Sequence, residues 1–127
     1  MFRSIAATCH LPEGEWIMDE DEETVLQPGG RAGAEAVAEL ARGLGFETEQ
    51  IEADTEHNSW TFAARKDAAY IHTNVFHMDD EFYVSMDNLP GCIPLGGRRA
   101  DYVAFTEDLF AAMARDARFS DVRWERR

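Results

Sequence analysis

Apolar and polar residues alternate most clearly between residues 59 and 87, where the pattern predicts three consecutive β-strands. The predicted strands are Ser59–Arg65, Ala69–His77 and Phe82–Asp87, separated by polar turn segments. Successive side chains of a strand point to opposite faces of its sheet. The pattern therefore predicts a β-meander with two different faces.

Two short turns would fix the pairing of these strands, Lys66-Asp67 and Asp79-Asp80. The first would place Phe62 opposite Ile71, and the second would place Val75 opposite Val84. Both pairings give one face, the inner face, the same members: Trp60, Phe62, Ala64, Ile71, Thr73, Val75, Phe82, Val84 and Met86, with His77 at its edge. The outer face would carry Thr61, Ala63, Arg65, Tyr70, His72, Asn74, Phe76, Tyr83, Ser85 and Asp87. A slip of one residue would exchange the two faces, so the agreement of both turns supports this assignment.

Apolar residues at helical spacing predict two helices, at about Arg31–Leu44 and Arg99–Ala117. Gly45 suits the left-handed stop of the first helix. Further strands are predicted at Phe2–Thr8, Phe46–Ala53 and Val122–Trp124. The glutamates of the second of these favour a sheet edge.

These elements predict the fold class α+β, an antiparallel β-meander sheet of four to six strands with two helices packed on one face. The 127 residues are expected to form one domain. Residues 1–28 would form an acidic N-terminal arm, because seven acids and no base lie between Glu13 and Glu23. Trp16 and Ile17 are the predicted anchor of that arm.

Charge is the unusual part of the composition, with 25 acidic and 12 basic side chains and a net charge of −13. Such a field repels nucleic-acid backbones and anionic membranes and favours a basic protein partner, although solubility alone would also explain it. The two cysteines, Cys9 and Cys92, form no disulfide framework, so we expect free thiols and a cytoplasmic location.

No spacing of residues predicts catalysis, a cofactor or a metal. His72 and His77 point to opposite faces of one strand, and a scattered set such as His57, His77 and Asp79 is the remaining metal candidate. The adjacent Cys9 and His10 are explained as well by a buried thiol beside a surface imidazole as by a catalytic pair. We therefore predict a protein without a catalytic site.

Three surfaces are candidates for binding a partner. They are the outer face, through Tyr70, His72, Asn74, Phe76 and Tyr83; the acidic arm, through Asp19, Asp21 and Glu22; and the loop after the meander, through Leu89 and Ile93. Alternatively, residues 1–28 would fold across the outer face, or that face would be a dimer contact. The chain is expected to be a monomer or a homodimer.

A helix ending in Leu40-Ala-Arg-Gly-Leu-Gly-Phe46, an acidic strand, an antiparallel meander and a long amphipathic helix follow one another. This order over residues 31–117 resembles the small acidic chaperones of bacterial type III secretion. In its small size and acidic charge the chain also resembles bacterial toxin-immunity proteins, which are small, acidic and cytoplasmic. The resemblance implies a non-enzymatic module that masks or escorts another protein, of immunity type or, alternatively, a secretion-chaperone-like adaptor. A small-ligand-binding protein or enzyme, with a pocket between the sheet and residues 88–99, is the competing class.

Overall fold

The structure is a computed structural model that describes residues 2–67, 69–88 and 99–125. Its main feature is an antiparallel sheet. The elements are β1 (Phe2–Cys9), β2 (Ile17–Met18), β3 (Val25–Gln27), α1 (Arg31–Gly43), β4 (Glu47–Thr48), β5 (Glu52–Asp54), β6 (Ser59–Lys66), β7 (Ala69–Met78), β8 (Glu81–Asn88), α2 (Arg99–Ala114) and β9 (Phe119–Trp124). Strands β4, β6, β7, β8, β1 and β9 follow one another across the sheet, and β5 also pairs with β6. The predicted α+β class with an antiparallel meander is confirmed, although the sheet has seven strands rather than four to six.

The second hairpin has the predicted register, with Val75 opposite Val84. The first does not, because Phe62 lies opposite Thr73 rather than Ile71. Lys66 pairs with Ala69 instead of lying in the turn, and the turn begins at Asp67, whose φ of 53° lies in the left-handed region that tight hairpin turns use. Each residue of β6 therefore faces a partner two positions further along β7. Because two is an even number, every side chain keeps its predicted face.

The inner face is buried throughout, from Trp60 to Met86, and it includes His77. Its apolar side chains join one core cluster with residues of both helices, such as Val37 of α1 and Leu109 of α2. Tyr102 of α2 donates a hydrogen bond of 2.6 Å from its hydroxyl to the backbone oxygen of Met86. Both helices thus contribute to one core, while their packing on one face of the sheet stays a prediction.

The N-terminal strand lies inside the sheet, between β8 and β9, and is antiparallel to both. The strand prediction for residues 2–8 is confirmed, but these residues do not belong to a solvated arm and do not cover the outer face. At the other edge, the expected strand Phe46–Ala53 is divided into β4 and β5, which both pair with β6. The predicted edge position is confirmed.

Residues 11–27 are not simply a loop, because β2 and β3 pair as a separate two-stranded sheet. We call residues 17–27 the ribbon. Trp16, just before it, is partly buried and packs near Gly29. Ile17 is exposed, so its predicted role as an anchor is wrong. Ile17 lies in the small sheet of β2 and β3, which is separate from the main sheet, and it does not belong to the core cluster.

Candidate protein-binding surface

The outer face presents the predicted aromatic and polar residues together. Tyr70, His72, Asn74 and Phe76 alternate along β7 and are all partly exposed. Phe76 lies directly opposite Tyr83, and their rings stack with centroids 6.2 Å apart. Such a cross-strand aromatic pair stabilises a sheet by roughly 0.2–1 kcal/mol, so the pair has a structural role whether or not it also contacts a partner. The binding role of these residues stays a prediction.

A hollow of about 270 Å³ lies at the β5 end of this face. Its lining is mostly polar and comprises Glu49, Gln50, Glu52, Thr61, Phe62, Ala63, Tyr70 and His72. The Tyr70 hydroxyl donates a hydrogen bond of 3.2 Å to Glu49, and Arg65 lies 3.8 Å from the same carboxylate. Arg65 therefore offsets part of the negative charge of Glu49 at this hollow.

The tip of the ribbon is an ordered acidic turn. The Asp21 carboxylate accepts hydrogen bonds from the backbone N–H groups of Glu23 and Thr24 and from the Thr24 hydroxyl, at 2.9–3.0 Å. These donors stabilise the charged form, so the pKa of Asp21 is lower than usual, with the Thr24 backbone N–H as the largest cause. Asp19 accepts from the backbone N–H of Glu20. The predicted contact residues Asp19 and Asp21 therefore hold the turn, whereas Glu22 projects an exposed carboxylate beside them.

Glu13 fixes the root of the ribbon to the body of the protein. One of its carboxylate oxygens accepts the backbone N–H of Asp79, at 2.8 Å, and the other accepts the indole N–H of Trp16. Its backbone oxygen accepts the N–H of Gly30 at 2.7 Å. On the other side of the ribbon, Trp60 donates its indole N–H to the backbone oxygen of Pro28 at 3.1 Å. Both chain segments at the root of the ribbon are thus held by hydrogen bonds, and the bond from Asp79 to Glu13 places this root beside the β7–β8 turn.

Four large apolar side chains of the described residues are exposed, three on the ribbon and one at the end of β7. Ile17, Met18 and Leu26 of the ribbon expose 46%, 37% and 53% of their surface, and Met78 exposes 36%. These are the exposed large hydrophobic residues among residues 3–67, 69–88 and 99–125. Met78 precedes Asp79, the residue bound by Glu13, and belongs to the outer-face positions of β7. The ribbon and the outer face therefore meet at the β7–β8 turn.

His77 lies buried just beneath this junction, with 4% of its surface exposed. Its ring meets Phe82 edge to face, with centroids 5.4 Å apart, and its Nδ1 has no hydrogen-bond partner within the protein. Burial lowers the pKa of His77, and the negative charge of Glu13 opposes this effect in part. The imidazole is thus held in its neutral form under the ribbon root.

This burial predicts a specific pH dependence of stability. The pKa of His77 is lower in the folded state than the usual 6.5, so below about pH 6.5 the unfolded chain binds a proton that the folded chain does not, and the free energy of unfolding falls. Urea unfolding near pH 7.5 and pH 5.5 should show a smaller loss for His77→Gln than for the parent. His10→Gln, at an exposed site, is the control. Equal losses in the parent and His77→Gln would contradict the assignment.

The other sequence candidates are not brought together. The His10 ring bonds to Ser120 at 2.8 Å rather than to Cys9, and burial raises the pKa of the Cys9 thiol, which disfavours a reactive thiolate. His57 is exposed and hydrogen-bonds to Asp54, whereas His77 is buried. In the part of the chain that is described, no group of three or more His, Cys, Asp or Glu residues could hold a metal ion.

One further expectation concerns the loop after the meander. Leu89, Ile93 and the pocket expected between the sheet and residues 88–99 fall on residues 89–98, outside the described residues. Neither of the two helices of the described chain is long and apolar enough to cross a membrane.

Comparison of the chain with models of protein families, with curated proteins and with solved structures found no match.

Proposed function

We propose that this protein is a non-enzymatic, acidic, cytoplasmic binding module that masks or escorts a partner protein with a basic surface. Within that class we favour an immunity-type inhibitor over a secretion-chaperone-like adaptor. The observation that carries the proposal is the position of the exposed apolar side chains. Ile17, Met18 and Leu26 flank the acids of the ribbon tip in the sequence, and Met78 precedes Asp79, the residue that Glu13 binds. Apolar surface next to concentrated charge is typical of a protein-protein interface.

Occlusion is the mechanism that this arrangement supports. The acidic tip would steer a basic partner toward this end of the molecule, because a concentrated field raises the rate of encounter. The ribbon and the adjoining outer face, with Phe76 and Tyr83, would then cover the partner's surface. Aromatic and apolar residues contribute most of the energy of such contacts, whereas the charges act mainly on the association rate.

The proposal predicts an association rate that depends steeply on salt. After the partner is identified by affinity capture from the native host and mass spectrometry, stopped-flow rates should fall by roughly 10–10³-fold as salt rises. The useful range is from about 0.01 M to 1 M, over which the screening length shrinks from about 30 Å to about 3 Å. An association rate that does not change with salt would contradict the proposal.

A charge variant of the ribbon tip sharpens this test. Glu20→Gln/Glu22→Gln/Glu23→Gln removes three charges and spares Asp19 and Asp21, which hold the turn. The matched control, Glu56→Gln/Glu107→Gln/Asp108→Asn, removes three exposed charges elsewhere. We expect the tip variant to slow association at low salt at least several-fold more than the control, because steering depends on where the charge lies as well as on its total. Equal slowing by both variants would mean that net charge alone attracts the partner.

A further inference from the structure

We infer that the ribbon is the anchor of the interface, and that Ile17, Met18 and Leu26 enter an apolar cleft framed by lysine and arginine side chains on the partner protein. This inference rests on the proposed function and specifies the binding element and the chemistry of its partner. It assigns the ribbon, rather than the outer face, to the centre of the contact.

The first argument is the contrast between the ribbon and the rest of the described chain. The large apolar residues that form the core, such as Phe82, Val84 and Leu109 of the main sheet and helices, are almost completely buried. Those of the ribbon are not, although the ribbon is ordered at both its tip and its root. An apolar surface that is held rigid and left in water gains more from a partner than a flexible one, because less conformational entropy is lost on binding.

The second argument concerns how the ribbon keeps its shape. β2 and β3 contribute two and three residues, and a register irregularity follows Ile17. An isolated two-stranded ribbon of this size is at best marginally stable in water. Here the Asp21 turn closes one end, and Glu13, Trp16 and Pro28 fix the other. These bonds present the apolar side chains without burying them.

Charge identifies the occupant. Five consecutive acids, residues 19–23, separate the apolar pairs Ile17-Met18 and Val25-Leu26, and no lysine or arginine occurs in residues 4–30. A second copy of the chain would bring the same acids against this surface, and the net charge of −13 opposes that contact further. Anionic membranes and nucleic acids are repelled for the same reason. A cationic protein surface with an apolar centre matches both features of the ribbon.

Met18 on the ribbon and Met78 at the end of β7 are two exposed methionines. Methionine is unbranched and polarizable, so it adapts to irregular apolar surfaces. Met78 lies on β7 next to the turn that Glu13 binds. A partner bound to the ribbon would therefore reach the outer face through the β7–β8 turn. Phe76 and Tyr83 would form the periphery of that interface.

The test uses the full chain and two synthetic probes, a heptapeptide of alternating Lys and Leu and its analogue with Ser in place of each Leu. Amide NMR titration at low salt should give at least ten-fold tighter binding of the Lys-Leu peptide, with shifts centred on residues 16–27. In Ile17→Ser/Leu26→Ser this preference should disappear, while weak binding of the Lys-Ser peptide remains. Ile17→Leu/Leu26→Ile keeps the apolar surface and should keep the preference. Both pairs of changes lie at exposed positions, and the amide spectra report that the fold is intact.

Each other outcome has a definite meaning. If the serine variant keeps the preference, or if the shifts centre on Tyr70 and His72 instead, the inference about the ribbon is wrong while the proposed function stands. If neither peptide binds the parent at low salt, the proposed basic partner is itself contradicted. If sedimentation shows a dimer that the serine variant dissociates, the occupant is a second copy and the inference is overturned.

Discussion

Replacement of Phe82 by alanine is expected to lower the free energy of unfolding by about 3–5 kcal/mol, whereas Tyr83→Ala should cost about 1 kcal/mol or less. Phe82 is 1% exposed, and its ring lies 5.3 Å from that of Phe119 and 5.4 Å from that of His77. Its loss opens a cavity in the core. Tyr83, the next residue, points to the outer face and chiefly loses its stacking with Phe76.

Denaturant unfolding of both variants measures this difference, provided that the slopes of the transitions agree with that of the parent. The loss for Phe82→Ala is a large fraction of the about 5–15 kcal/mol that stabilises a typical domain. If the alanine variant is unfolded, Phe82→Leu can be measured instead. It keeps most of the apolar volume, so its free energy of unfolding should fall by less. A larger loss for Tyr83→Ala than for either Phe82 variant would mean that the two faces of β8 are exchanged.

This pair of neighbours shows why the faces of the meander could be predicted from the sequence. The assignment of Trp60, Ile71 and Val84 to the inner face depends only on alternation, which is a local property of each strand. Even the wrong register of the first hairpin left it intact, because the pairing differs by two residues. Asp67 and Asp79 both adopt positive φ and begin their turns, but only the position of the second turn was predicted correctly.

Long-range pairing could not be predicted in the same way. β1 lies between β8 and β9, more than seventy residues away in the chain, and nothing in Phe2–Cys9 alone indicates those partners. The ribbon was missed for a different reason. Its two apolar pairs are short, and the five consecutive acids between them favour a solvated arm over a pair of strands. The signal that was available is the symmetry of Ile17-Met18 and Val25-Leu26 about the turn.

The candidate site was predicted in part. The structure brings Tyr70, Phe76 and Tyr83 onto one partly exposed face, as alternation requires. The structure also shows that apolar residues of the ribbon are exposed. The role of Glu13 could not be predicted from a local pattern, because its partner, Asp79, is 66 residues away. Three consecutive residues at the end of β7 and in its turn connect these parts. His77 belongs to the core, Met78 to the exposed surface, and Asp79 to the ribbon root.

The contact between α1 and the sheet gives the second large expected effect. A Cβ atom at Gly33 would lie 2.6 Å from Cε2 of Phe82, whereas one at Gly43 meets nothing within 4 Å. Both glycines lie in α1, so alanine improves helix propensity at each by up to about 1 kcal/mol. At Gly43 that gain should appear as added stability. At Gly33 the crowding of a buried ring should make the variant about 1–3 kcal/mol less stable than Gly43→Ala.

A double-mutant cycle tests whether Phe82 is the cause. In the Phe82→Ala background, or in Phe82→Leu if that variant folds better, the ring that obstructs a Cβ at Gly33 is absent, so Gly33→Ala should cost nothing or become stabilising. The coupling between the two positions should then lie within about 0.5–3 kcal/mol, the range for residues in contact. Gly43→Ala should have the same effect in every background, because its position is open. Additive effects of Gly33→Ala and Phe82→Ala would show that α1 does not meet the sheet at this ring. The helix would then have to cross the inner face elsewhere.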